Sequence, residues 1–308
     1  MSVYFPYFRA KQHELLAIAS AAQPLSANGK IVPILEPVKA KSAPLIRLAQ
    51  NLSGTNIHLG LILNPEHGEL KNNRAAVLQI YDDMTAENPR VLPAWIVNSG
   101  TVFQDAMDLA GLCPEAGVIF IHKAEADHTV VSQLLALPGF HLFQSGCVGS
   151  QYIASFSSKP CGLLEDGFQS QQRNSDYPVQ SFFSDQFYQH KQQGFSGFGD
   201  YTITGDNYSE SGGSPFAIAI HITEAQSSSI ICNHFVSQSN ATRADQAGKF
   251  KEAVKALAVY SQNNPGAIDF SAGCQQFLTH YANGHYPSLG KIKEHSMQHH
   301  LELMCRLV

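Results

Sequence analysis

The chain has 308 residues, of which 44% are hydrophobic, and its formal net charge is −5 at pH 7. This length is sufficient for one large α/β domain or two small ones with a real core. The acidic balance gives no overall attraction to nucleic acid or to an anionic membrane, although it leaves room for a local basic patch.

The N-terminal stretch "MSVYFPYFRAKQHELL" has no basic start followed by an apolar core, and no apolar run approaches the length of a membrane span. The six cysteines are scattered without C-x-x-C spacing. We therefore expect a cytoplasmic protein with reduced thiols and no membrane partner, rather than a disulfide framework or a zinc site.

Short apolar runs alternate with longer amphipathic segments along most of the chain. The runs begin at Val3, Lys30, Ile57, Arg90, Ala116, Phe140 and Cys161, and an eighth, "FAIAIHIT", begins at Phe216. Short apolar strands that alternate with helices indicate a parallel sheet buried on both faces. Eight such units predict a (β/α)8 barrel of the TIM type. A doubly wound open sheet is the alternative, weakened by the lack of a G-x-G-x-x-G turn after the first strand.

Two segments depart from this repeat within what we interpret as a single domain. Residues 167–215 are rich in Gly, Ser and aromatic side chains, and we interpret them as a lid inserted between strands 7 and 8, without regular secondary structure. Residues 241–308 read as purely helical, and we expect a C-terminal extension packed on the barrel. His295 and His299, four residues apart on one of these helices, could chelate a metal, but in the absence of a third ligand they are predicted to lie on a solvated face.

Polar side chains stand at or just beyond the carboxyl ends of the predicted strands, where such barrels carry their chemistry. The alternative is that they only mark where strands meet solvent. As catalytic candidates we name Glu36, His122, Glu165, Asp166 and His221, and as substrate-binding candidates Arg9, Lys11, Asn64, Asn98, Lys123 and Arg173. The four cations in this set suit a phosphate-bearing ligand, or else form ordinary surface ion pairs.

The adjacent carboxylates in "LLEDG" give the most specific prediction. One of Glu165 and Asp166 could bind Mg²⁺ or Mn²⁺, with Asp185 or Asp200 from the insertion as further ligands. Alternatively, one carboxylate is a general base and His122 or His221 is the acid. Because neighbouring residues of a strand face opposite sides, we expect at most one of the pair to reach the barrel mouth.

Several stretches resemble a bacterial family known by a locus-tag label, which is itself distantly similar to the beta-protein family. They include "YFPYFRAKQHELLAI", "KIVPILEPVK", "RNSDYP", "GFSGFGDYTITGDNYSESG" and "HFVSQSN", and the resemblance spans almost the whole chain. It implies a cytoplasmic protein that is often encoded beside a small companion protein in mobile or defence-type gene neighbourhoods. The family has no agreed activity, so the resemblance transfers no catalytic residue.

Two functions follow as hypotheses. The first is a hydrolase that acts on a phosphate-bearing ligand, such as a nucleotide or a nucleic-acid end, with or without a metal. The second is a non-catalytic barrel that binds the companion protein through the aromatic residues of the insertion. Direct nucleic-acid binding would require a contiguous basic groove, which the overall acidity makes less favourable.

Overall fold

The computed structural model describes residues 3–112, 117–210 and 213–308. In chain order the strands are β1 (Val3–Phe8), β2 (Ile34–Leu35), β3 (Leu59–Ile62), β4 (Val91–Val97), β5 (Val118–His122), β6 (Gly139–Gln144), β7 (Cys161–Glu165), β8 (Gln180–Ser184), β9 (Gly197–Asp200), β10 (Ala219–Ala225) and β11 (Ile230–Val236). The helices are α1 (Gln12–Ser20), α2 (Ala22–Asn28), α3 (Ala43–Leu52), α4 (Arg74–Glu87), α5 (Phe103–Leu112), α6 (His128–Ala136), α7 (Ser150–Ser155), α8 (Gln186–Gln189), α9 (Gln246–Asn263), α10 (Ala272–Asn283) and α11 (Leu289–Leu307). Across these ranges no helix combines the length and the apolar composition that a membrane span needs.

Eight strands form a closed parallel barrel in the order β1 to β7 followed by β9. Strand β9 closes it by pairing with β7 on one side and with β1 on the other. Helices follow most of the strands, so the predicted TIM-barrel-like fold is confirmed. The interior is filled by the inward side chains of alternate positions, among them Phe5, Ile62, Ile121 and Leu164.

The eighth barrel strand lies in a different place from the predicted one. "FAIAIHIT" contributes to β10, which pairs antiparallel with β11 in a separate three-stranded sheet of order β10-β11-β8. The barrel is closed instead by "GFGD", inside the segment interpreted as irregular. That segment also contains β8 and α8, so the prediction that residues 167–215 lack regular structure is wrong.

The glycines of β9 make this strand read as a loop in the sequence, and its close contact with β1 requires them. A Cβ atom at Gly199 would lie 2.4 Å from the carbonyl oxygen of Phe5 and 3.1 Å from the Leu164 side chain. Such an overlap forces the strands apart.

We expect Gly199→Ala to lower the free energy of unfolding by about 1–3 kcal/mol, since the new methyl group overpacks the barrel. Gly54→Ala is the matched control, because a Cβ atom there meets no atom within 4 Å. Urea denaturation of both variants checks this, and equal stabilities would contradict the proposed strand contact.

The three-stranded sheet and the last three helices build a second hydrophobic core beside the barrel. Ile220 and Ile222 of β10 pack there with Phe250 and Leu257 of α9 and with Phe277 of α10. Helix α11 packs against α1, α10 and β10, and therefore lies between the barrel and the sheet. His295 and His299 are 5% and 0% exposed, so the predicted solvated face is wrong.

Candidate functional site at the barrel mouth

Strand alternation decides which side chains reach the barrel mouth. Phe5 and Tyr7 of β1 are interior residues, so the next inward position is Arg9. By the same alternation Glu36 follows Ile34 of β2, and Lys123 follows Ile121 of β5. These three predicted residues are joined, directly or through shared partners, by hydrogen bonds and ion pairs.

Glu36 is the buried centre of this network, with 0% of its side chain exposed. One carboxylate oxygen accepts from Arg9 and from the Tyr7 hydroxyl, the latter at 2.7 Å. The other accepts from the backbone amides of Glu66 and His67 at 2.8 and 3.0 Å, and lies 3.0 Å from His67 Nδ1.

The loop after β3 is bent to make these last contacts. Gly68 has φ = +76°, and a Cβ atom there would lie 2.1 Å from the carbonyl oxygen of Val38. Only glycine fits this turn, which directs the amides of Glu66 and His67 at Glu36.

Asp206 lies among the cations of the mouth. Its Oδ1 is 2.6 Å from Arg9 Nη2 and 3.8 Å from Lys123 Nζ, and its Oδ2 accepts from Gln144 Nε2 at 3.0 Å. The Arg9 and Lys123 side chains are only 7% and 12% exposed. Both also lie over the rings of Tyr7 and Tyr201, at 4.9 to 6.0 Å from the ring centroids. Both cations are therefore paired with carboxylates of the chain, Arg9 with Glu36 and Asp206, and Lys123 with Asp206 and, at 3.2 Å, with Glu66.

Residues 202–210, here called the mouth loop, cover this site. The Tyr208 ring packs against His67 with the centroids 4.8 Å apart and the planes tilted by 40°, and Lys11 Nζ lies 4.8 Å from the centroid of the Tyr208 ring. Lys11 also donates to the carbonyl oxygen of Ser209 at 2.8 Å. The mouth loop therefore has to move before a ligand can replace Asp206.

Burial and charge shift the pKa values of the mouth residues. Burial alone would raise the pKa of Glu36, but the Arg9 guanidinium and the Tyr7 hydrogen bond outweigh it and hold the pKa below its usual value. For Asp166, burial dominates and raises the pKa, although the Asp206 and Phe168 amides donate to its carboxylate. Glu36 thus stays ionised, whereas Asp166 is the easier of the two to protonate.

Two of the predicted catalytic residues face away from the mouth. His122 follows the inward Ile121, so it points to the helical layer, where it contacts His141 at 3.0 Å and Tyr152 at 3.0 Å. Glu165 points outward to β8 and α8, and accepts from Gln186 Nε2 at 2.9 Å. Of the pair in "LLEDG", only Asp166 is at the mouth, where it accepts from the Asp206 amide at 3.0 Å.

The other two acidic candidates, Asp200 and Asp185, also lie outside the mouth network. Asp200 faces outward and accepts from the Tyr4 hydroxyl at 2.8 Å, beside His300 of α11. Asp185 bonds Gln189 in α8. The four acidic candidates, Asp185, Asp200, Glu165 and Asp166, each have hydrogen-bond partners that the other three do not share. Within the described residues, the ligand atoms of these four carboxylates do not come close enough together to form one ligand set.

The remaining candidates divide between the mouth and the periphery. Asn98 donates to Glu66 at 3.4 Å, and Asn64 bonds both the amide and the carbonyl of Ile96, which extends the β3–β4 ladder. His221 lies in the three-stranded sheet, not at a barrel strand end. Arg173 is an exposed residue beside Pro215 and Phe216, outside the mouth network.

Among the residues of the mouth that sequence reasoning missed are Gln144, Tyr201, His67 and Asp206. Gln144 and Tyr201 occupy inward positions at the ends of β6 and β9, and they bond each other at 3.0 Å. Strand alternation would have identified Gln144, whereas Tyr201 required the correct eighth strand. No local signal marks His67 or Asp206, since both lie in loops and their partners are distant in sequence.

Comparison with known proteins adds no assignment at this point. No protein-family model matches the chain, and no curated protein matches it.

Proposed function

We propose that the barrel mouth binds a phosphate-bearing ligand, either a nucleotide or a nucleic-acid end, and hydrolyses its phosphoester bond. The observation that carries the proposal is the Asp206 carboxylate held between Arg9, Lys123 and Gln144. Guanidinium and ammonium groups are the usual partners of phosphate oxygens. In this proposal Asp206 occupies the anion site until the ligand displaces it.

The candidate general base is His67. The buried Glu36 carboxylate lies 3.0 Å from His67 Nδ1, which fixes the ring orientation and favours the tautomer that leaves Nε2 free to accept a proton. Since Glu36 is fully buried and its pKa is held below the usual value by Arg9, we assign Glu36 to positioning His67 and Arg9 instead of to proton transfer.

The proposed reaction is an attack by water on phosphorus. His67 Nε2 takes a proton from the water, whose oxygen bonds to phosphorus as the bond to the leaving oxygen breaks. Asp166, with its raised pKa, returns a proton to the leaving oxygen. Arg9 and Lys123 stabilise the charge on the non-bridging oxygens.

Phosphate release from nucleoside triphosphates, nucleoside monophosphates and 5′-phosphorylated oligonucleotides tests this proposal. We expect release from at least one class, a loss in kcat of about 100-fold or more in His67→Gln, and a loss in kcat/KM of at least about tenfold in Lys123→Met. His128→Gln and Lys255→Met replace exposed residues elsewhere on the chain and serve as matched controls. Absence of release by the unmodified protein, or full activity in His67→Gln, would refute the proposed hydrolysis.

The alternative function, docking of a companion protein, is favoured by a different observation. Val179 and Phe182, at the edge strand β8, are 81% and 52% exposed. Other aromatic residues of the 167–215 insertion, Phe183, Phe198 and Tyr201, are at most 2% exposed and already pack against rings elsewhere in the chain. An interface would therefore use the β8 edge and not the aromatic set as a whole.

A further inference from the structure

The three-stranded sheet brings two histidines and a cysteine together outside the barrel mouth. His221 of β10 is directly opposite His234 of β11, and Cys232 lies two residues before His234 on the same face. The nearest ligand atoms of these three residues all lie within 4.8 Å of one another. The cluster shares no residue with the mouth.

The separations are close to those of a metal-bound triad. The two Nδ1 atoms are 2.8 Å apart, and Cys232 Sγ is 3.9 Å from His234 Nδ1. In a tetrahedral zinc site with ordinary bond lengths, two nitrogens lie about 3.3 Å apart and a sulfur and a nitrogen about 3.6 Å apart. For these two pairs, changes of roughly half an ångström or less would convert one arrangement into the other, and the third pair, His221 with Cys232, lies within 4.8 Å.

The surroundings of His234 are those of a metal ligand. Its Nε2 lies 2.9 Å from Ser181 Oγ of β8, so the ring can bind a metal through Nδ1 while Nε2–H donates to the hydroxyl. The ring is also stacked on Tyr177, with centroids 4.8 Å apart and planes inclined by 26°. A hydrogen bond on the remote nitrogen and a packed ring are what orient ligating histidines.

The cluster also has an access route. Cys232 is fully buried and His234 is 5% exposed, but His221 is only partly buried. His221 lines a cavity of about 520 Å³, together with Asn174, Ile203 and Lys293. Of the three cluster residues only His221 lines this cavity, so the cavity is the side from which we expect a fourth ligand, such as water, to approach.

We propose that His221, Cys232 and His234 bind one transition-metal ion of the zinc class, with an open fourth position toward the cavity. Two imidazole nitrogens and a thiolate suit Zn²⁺, whereas Mg²⁺ and Ca²⁺ prefer oxygen ligands. On binding, Cys232 releases its proton to solvent, and the proton shared by the two Nδ1 atoms moves to Nε2 of the histidine that carried it, so that both imidazoles bind as neutral ligands. The competing arrangement is a neutral histidine pair that only hydrogen-bonds across the sheet.

Titration of the metal-free full-length chain with Co²⁺ distinguishes the metal site from the hydrogen-bonded histidine pair. We expect one equivalent to bind with a thiolate-to-cobalt charge-transfer band, and Zn²⁺ to displace it. Cys232→Ser should lose the band and at least about tenfold in affinity, whereas Cys147→Ser, which replaces an exposed thiol, should keep both. No stoichiometric Co²⁺ binding by the unmodified protein, or a band lost in Cys147→Ser and kept in Cys232→Ser, would overturn the site.

Ser181→Ala provides a second test that leaves all three ligands in place. Losing the hydroxyl that holds His234 Nε2 is expected to weaken Co²⁺ binding by about 10-fold to 100-fold while the charge-transfer band remains. Unchanged affinity in Ser181→Ala would contradict the assigned role of His234 Nδ1 as a ligand. Circular dichroism of each metal-free variant establishes that it is folded.

Discussion

Replacing Glu36 by alanine is expected to lower the free energy of unfolding by about 3–5 kcal/mol, because it removes one partner of a buried ion pair. The Arg9 guanidinium would keep Asp206 but lose its fully buried partner. The Tyr7 hydroxyl and two backbone amides would also lose the acceptor that they share. Urea denaturation at neutral pH measures this loss.

Two further variants separate the buried pair from carboxylates in general. Glu69→Ala removes a solvent-exposed carboxylate that pairs with Lys39, and we expect a much smaller loss of stability than in Glu36→Ala, because solvent screens this pair. Arg9→Met combined with Glu36→Met removes both charges, and the double variant should be more stable than Glu36→Ala alone. Equal effects of Glu36→Ala and Glu69→Ala would show that the mouth network is not a buried ion pair.

The protein is also expected to lose stability steeply as the pH falls below about 6.5. Burial lowers the pKa of His295 and His299 to about 4 and that of His141 to about 3. In the unfolded chain a histidine takes up its proton near pH 6.5, so between that pH and about 4 the unfolded state binds more protons. Each such histidine contributes a slope of about 1.4 kcal/mol per pH unit, and the three together about 4.

This loss is comparable with the whole stability of a typical domain after two pH units, so acid unfolding near pH 4.5 is the expected result. The best window to measure it is pH 6.5 to 5, because carboxyls with a raised pKa, such as Glu14, act in the opposite sense at lower pH. Urea titrations at half-unit intervals give the slope.

A His299→Gln variant tests the assignment of this slope to buried histidines. It should reduce the slope by about 1.4 kcal/mol per pH unit in the window and leave the slope above pH 7.5 unchanged. His299 is fully buried between Ser271 Oγ at 2.6 Å and the Thr223 carbonyl at 2.7 Å. A pH-independent stability from 6.5 to 5 would contradict the burial of these histidines.

The barrel was predictable from sequence because its strands are short apolar runs at regular spacing, and each run predicts a buried strand without reference to distant residues. The eighth strand was not predictable in this way. Gly197 and Gly199 read as loop residues, yet their role is to admit the backbone of β1, which is a tertiary contact. "FAIAIHIT" reads equally well as a barrel strand or as part of an antiparallel sheet, since burial gives both the same pattern.

The candidate site was predictable only in part for a related reason. The residues at the strand ends were correctly located where strand alternation fixes their direction, as for Arg9, Glu36 and Lys123. The prediction that His122 lies at the mouth is wrong, because His122 is adjacent to the inward-pointing Ile121 in β5 and therefore points outward. His67 and Asp206 come from loops, and only the folded chain shows that they meet Glu36 and Arg9.

The most direct test of the anion site is calorimetric titration with inorganic pyrophosphate of the unmodified protein, Asp206→Ala, and Asp206→Ala combined with Lys123→Met. If Asp206 occupies the ligand's place, removing it should tighten pyrophosphate binding by at least about tenfold, and the added Lys123→Met should abolish the gain. Asp185→Ala changes the net charge equally, away from the mouth, and should have no such effect. Pyrophosphate binding that is no tighter in Asp206→Ala, or a gain that survives the loss of Lys123, would contradict the anion site and favour the partner-binding alternative.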